Sequence, residues 1–201
     1  MSFLKTLYDR WFPGNSSAHK LFWKYRYIFR SGFLDEQEIL KNINHPHRLE
    51  LIKEFKKFNN VKRVLELGCS WGANLFLISQ TDPAIECIGI DVSDKMVEAG
   101  NRLFKSRNCQ NIHLKRGDMI SMKNFKDKEF DLIITDASFI YVDNSRIIKC
   151  ADEMARISRM GLIMVEFDDN NEDPIGYKFE SAWVRDYGTL FNKYSSKISK
   201  R

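Results

Sequence analysis

Short apolar runs recur through the middle of the chain, and most are closed by an acidic residue or a turn. The first, Val64-Leu65-Glu66-Leu67, leads into a glycine turn. The second, Ile85 to Ile90, ends at Asp91. The third, Asn111 to Lys115, leads into Gly117-Asp118-Met119. Phe130 to Thr135 ends in Asp136-Ala137-Ser138, and Gly161 to Phe167 is the last run. Runs of this length, bounded by turn residues, predict buried β-strands. Between the last two, Ile147, Ile148, Ala151, Met154, Ala155 and Ser158 share one helical face, with Gly161 as the expected helix stop. Alternation of strands and helices predicts a parallel sheet with helices on both faces.

The flanks carry other patterns. Leu21, Phe22, Tyr25, Ile28 and Phe29 recur at helical spacing until Ser31-Gly32 breaks them. A second helix is expected from about Asp35 through Ile39 and Leu40, ending at His45-Pro46. Leu49, Ile52, Phe55 and Phe58 form a third stripe. Residues 1–60 thus read as a helical cap, part of the same domain as residues 61–201. After the last strand comes an acidic segment, 168–173, expected to be a solvated loop. Ser181 to Phe191 and a basic tail follow.

Two features of the first turn bear on chemistry. Gly68 and Gly72 allow backbone conformations closed to other residues and let a ligand approach closely. The helix behind them is expected to offer unpaired N–H groups to an anionic group. The spacing argues against a dinucleotide, because Ser70 stands where G-x-G-x-x-G needs its second glycine and Trp71 adds bulk. Acids at the ends of successive strands lie on the edge where open α/β sheets bind ligands.

The Glu66-x-Gly68-x-x-x-Gly72 turn and the acids that follow resemble the motifs of class I S-adenosylmethionine-dependent methyltransferases, over about residues 61–167. The resemblance implies a Rossmann-like, doubly wound, mostly parallel sheet. It implies S-adenosylmethionine as cofactor, held by Glu66, Gly68, Cys69, Gly72, Asp91, Val92, Asp118, Met119 and Asp136. Asp91 would hold the ribose, Asp118 and Met119 the adenine, and Asp136 would lie beside the methyl group. Ser70 departs from the middle glycine of the family's usual E/D-x-G-x-G-x-G. Tyr141, Trp183 and Arg185 are the substrate candidates, an aromatic wall and a guanidinium suited to a polar or anionic acceptor. Trp183 to Gly188 is also similar to a subgroup associated with pseudaminic acid and other surface sugars. The family's antiparallel strand pair at the end of the sheet has little room here. Either it is shortened, or Ile175-Tyr177-Phe179 and the tail form abbreviated strands. No residue identifies itself as a general base; His45 and His47 precede the core and are expected to be solvated loop residues, with a place in a lid as the alternative.

Composition adds limits. The 201 residues suffice for one domain with a full core. No apolar run is long enough for a bilayer and the N-terminus does not read as a signal peptide. Cys69, Cys87, Cys109 and Cys150 show neither metal spacing nor a C-x-x-C pair, so no metal is expected and the reducing cytoplasm is. The net charge of +5 permits a nucleic-acid partner, with Lys20, Lys24, Arg26 and Arg30 clustered, but no RNA-binding module is present. Asp136-Ala137-Ser138-Phe139 also lacks the Asn/Asp-Pro-Pro-Tyr/Phe pattern common in nucleobase amino-methylating enzymes. The expected acceptor is therefore a small polar molecule taking the methyl on O or N. RNA, protein, or a non-catalytic role as a methyltransferase-like subunit remain alternatives, and the oligomeric state is open.

Overall fold

The computed structural model describes Phe22 and residues 36–41, 43–169, 172–179 and 182–194. The stripe at 21–29 lies outside these, apart from Phe22, which is helical. Helix α1 spans Glu36–Lys41 and α2 spans Pro46–Phe55. Pro46 opens α2 at its first turn, where a missing N–H costs nothing. The expected stripe is only partly the buried one. Leu51 and Phe55 are buried, Leu49 is exposed, and Phe58 lies past the helix end.

Five strands form the central sheet: β1 (Arg63–Leu67), β2 (Glu86–Asp91), β3 (Ile112–Arg116), β4 (Phe130–Asp136) and β5 (Ser158–Val165). Their order is β3-β2-β1-β4-β5, every pair parallel. Between them run α3 (Ala73–Ser79), α4 (Asp94–Ser106) and α5 (Ile147–Ile157). Successive strand residues face opposite sides. Val64, Cys87, Leu132 and Ile134 join one core with α2, α3 and α4. Leu65, Leu67, Ile88, Ile90 and Ile133 join the other with α5 and the C-terminal helix. The fold is the Rossmann-like α/β architecture, doubly wound about β1 and β4.

Two local expectations change. α5 ends at Ile157 and β5 begins at once with Ser158, in extended conformation. Gly161 therefore sits inside β5 beside Leu132 rather than stopping the helix. The C-terminal strands exist but do not extend the sheet among the described residues. β6 (Tyr177–Phe179) pairs antiparallel with β7 (Ala182–Val184) as a separate hairpin, and residues 195–201 of the tail lie outside the described residues. A single parallel bridge between Asp168 and Arg185 ties it to the end of β5. Helix α6 (Tyr187–Phe191) follows, capped by Asp186, whose Oδ1 accepts the Thr189 N–H at 2.8 Å.

Candidate functional site

Register assembles the site. Leu67, the last residue of β1, pairs with Ile90 of β2 and Thr135 of β4, and Asp91 pairs with Arg116 of β3. The next residues, Gly68, Asp91, Asp136 and Gly117, therefore emerge at one level. They surround a cavity of about 380 Å³ at the C-terminal edge of the sheet, where the strand order reverses.

Gly68, Asp91, Val92, Asp118, Met119, Asp136 and Tyr141 line this cavity. Gly68 has a φ of +75°, and a Cβ there would come within 2.5 Å of Ser138 Cβ. Asp91 organises the turn. Its Oδ2 accepts the Ser70 N–H and its Oδ1 the Ser93 N–H, each at 2.8 Å. With the Val92 N–H as a third donor, the carboxylate keeps about one lone-pair site for a further donor. Burial pushes the Asp91 carboxyl up from its usual range, while hydrogen bonds from Ser93, Ser70 and Val92 oppose the shift.

Glu66, Cys69 and Gly72 lie behind the lining. Glu66 is buried under the turn, its Oε1 accepting the Asn74 amide at 2.7 Å; Asn74 also donates to Asp136 Oδ2 at 3.0 Å. Desolvation raises the Glu66 pKa to about 8. Glu66 Oε2 and Asn74 Oδ1 are buried with no hydrogen-bond partner. Cys69 Sγ packs beneath Gly89, 2.6 Å from where a Cβ there would stand, and Gly72 caps α3.

Trp183 and Arg185 lie outside the cavity. Arg185 is fully buried, and its guanidinium donates to the carbonyls of Ile175 and Val142 and to Asn144 Oδ1, with the charge over the Trp183 ring. Its role is bracing, because the chain needs a multi-donor group where the hairpin meets the β4–α5 connection.

The cavity also takes residues that the strand-end pattern missed. His47 and Arg48, from the first turn of α2, line it, as do Ser138 and Arg146. His47 Nε2 lies 3.1 Å from Asp136 Oδ2. Burial lowers the His47 pKa, outweighing the opposing pull of Asp136. The strained turn after β4, with Ala137 at φ 48°, is held by Glu166, which follows β5. Glu166 accepts the N–H groups of Ser138, Phe139 and Ile140 at 3.3, 3.0 and 3.2 Å. Only its position one residue past the last strand could have flagged it.

The N–H groups of the turn itself are engaged internally. Gly68 and Cys69 donate to Ile90 O, Ser70 to Asp91, and Gly72 to Cys69 O. With those donors engaged internally, the turn suits a nucleoside without phosphates better than a dinucleotide. Among the described residues, no cluster of potential metal ligands occurs and no helix is long and apolar enough to cross a membrane.

Comparison with known proteins agrees. The family described as "Methyltransferase domain" matches residues 64–161, just under half of the chain. A malonyl-[acyl-carrier protein] O-methyltransferase of Paenibacillus sp. (strain JDR-2) is 27% identical over 111 residues, 54% of this chain and 40% of that protein. The PH0226 protein of Pyrococcus horikoshii superposes with a TM-score of 0.57 at 26% identity, over 72% of this chain and 66% of that one. A geranyl diphosphate C-methyltransferase of Streptomyces coelicolor, solved with S-adenosyl-L-homocysteine, shares the fold at a TM-score of 0.60 and 12% identity, over 81% of this chain and 64% of that one. The chain spans 28% to 40% of the length of the curated relatives it matches. Residues 64–161 are thus similar to the methyltransferase domain family, and the strand order and glycine turn match those of the class I fold, the kind whose cofactor is S-adenosylmethionine.

Proposed function

We propose that the chain is an enzyme that transfers a methyl group from S-adenosylmethionine to an oxygen or nitrogen of a small polar acceptor. The observation that carries this is the cavity at the strand ends, bounded by Asp91, Asp118 and Asp136 with an apolar lining of Ile90, Val92, Met119 and Ile120. The residues present fit the cofactor. Asp91 has acceptor capacity left for a ribose hydroxyl, and Met119 and Ile120 offer an apolar bed beside Asp118 for adenine. Asp136, in the lining and held by Asn74, offers a carboxylate suited to an ammonium group. When bound, the cofactor supplies a methyl group already activated by its sulfonium.

The protein's part is then alignment, exclusion of water and handling of a proton. His47 is neutral near pH 7, because burial disfavours its charged form. With Asp136 it makes an imidazole–carboxylate pair able to take a proton from an acceptor hydroxyl or amine. α2 thereby belongs functionally with the domain it covers. The narrower surface-sugar reading rests on the Trp183–Gly188 resemblance alone, and those residues brace the hairpin rather than line the cavity.

Calorimetric titration with S-adenosylmethionine, S-adenosylhomocysteine and NAD tests the proposal. Micromolar binding of the two sulfur nucleosides without NAD binding is the expected result. Absence of binding by both would reject it in favour of a non-catalytic or partner-dependent role.

A further inference from the structure

Beyond the residues suited to the cofactor, the cavity is closed by His47 and Arg48 from α2 and by Tyr141, Val142 and Arg146 from the β4–α5 connection. Two guanidinium groups, an imidazole and a phenol therefore border one space. The sequence pattern placed a guanidinium beside the acceptor at Arg185; the fold buries that residue and brings Arg48 and Arg146 to the cavity instead. Arg146 Nε stands 3.7 Å from Asp143 Oδ2, beyond hydrogen-bond length, and Asp143 is not part of the lining. The local carboxylate, Asp136, is already in contact with His47 and Asn74. Among the described residues, this stretch of wall thus sets two guanidinium-bearing side chains against one lining carboxylate, Asp136, a local surplus of positive charge. A neutral polyol would need donors and acceptors alike; a carboxylate or phosphate needs donors, and planar guanidinium forks meet its oxygens two at a time.

We propose that the acceptor carries an anionic group, a carboxylate or a phosphate, bound by Arg48 and Arg146 near the atom that receives the methyl. The inference rests on the methyltransferase reading above. Tyr141 adds a phenol to the same wall, and Val142 limits the acceptor's size on that side.

The test uses the full chain saturated with S-adenosylhomocysteine, titrated at physiological ionic strength with inorganic phosphate and separately with succinate. Saturable binding of at least one anion at a single site is expected, weakened tenfold or more in Arg146→Gln and in Arg48→Gln. Arg146→Lys should recover part of the binding, which separates loss of charge from misfolding. Arg102→Gln, an exposed change on α4, should leave it unchanged. Phosphate alone would mark a phosphorylated acceptor, succinate alone a carboxylated one. Binding of neither anion overturns the proposal, as does equal binding by Arg146→Gln or an equal loss in Arg102→Gln. A wild-type chain that fails to bind S-adenosylhomocysteine rejects the cofactor reading itself, a separately visible result.

Discussion

At the scale of single residues, two acids beside the site carry raised pKa values. Glu66 has a folded pKa near 8 against an ordinary value of 4.5, and Glu166 one near 7, both raised by burial. Between the ordinary and the folded value the native chain holds a proton that the unfolded chain has released. Stability therefore falls as pH rises through each window. His47, shifted down, acts in the opposite sense below its ordinary value of 6.5. Between pH 7 and 8, Glu66 is the main source of slope among these three groups. Glu66→Gln should flatten the dependence of Tm on pH there; an unchanged slope in a melting series would contradict the protonated state. Asp91→Ala should weaken S-adenosylmethionine binding by about 1–3 kcal/mol, since it removes an acceptor for ribose hydroxyls. Because Asp91 also holds the Ser70 and Ser93 N–H groups, a thermal melt must accompany the calorimetry. Undiminished affinity in the folded variant would remove the ribose role.

At the scale of elements, close approach decides what the site can hold. Gly100 lies inside α4, where Ala would ordinarily gain about 1 kcal/mol from helix propensity. A Cβ at Gly100, however, would stand 2.3 Å from the Trp71 carbonyl and 2.5 Å from Leu114 Cδ1. Packing outweighs propensity here. Gly100→Ala should destabilise the fold by about 1–3 kcal/mol and loosen the turn that carries Ser70. A stabilised variant in urea denaturation would show that the turn yields freely. The hairpin is held by a different device. Arg185→Leu would leave the Ile175 and Val142 carbonyls without a buried donor. The expected loss is about 3 kcal/mol, and limited proteolysis should cut the 172–179 segment first. The strands of the central sheet were legible because four are short apolar runs, and β3 an apolar–polar alternation, ended by a turn or an acid. The start of β5 was not, since Ser158 fits a helical face as readily as a strand. Leu49 likewise matched a helical stripe and lies exposed, because the turn entering α2 at Pro46 rotates Leu51 to the core instead.

At the scale of the whole molecule, the two cores meet the cavity from opposite sides of one sheet, so ligand and fold stability are linked. S-adenosylhomocysteine at a hundred times its dissociation constant should stabilise the chain by about 2.7 kcal/mol, seen as a rise in Tm; no shift at saturation would mean that the ligand does not select the folded state. The alternation of runs and helical stripes was enough to specify the parallel α/β sheet, and the order of strand-end acids placed Gly68, Asp91, Asp118 and Asp136 on one edge. Both are local properties, periodicity and turn chemistry, that the chain carries residue by residue. The sequence alone could not say that His47 and Arg48 reach the cavity, that Arg185 turns away from it, or that the last two strands leave the sheet. Those outcomes depend on how α2 and the hairpin pack against strands distant in sequence. Tertiary structure decides them because a buried guanidinium, or an imidazole 3.1 Å from a carboxylate, exists only once separate elements have been brought together.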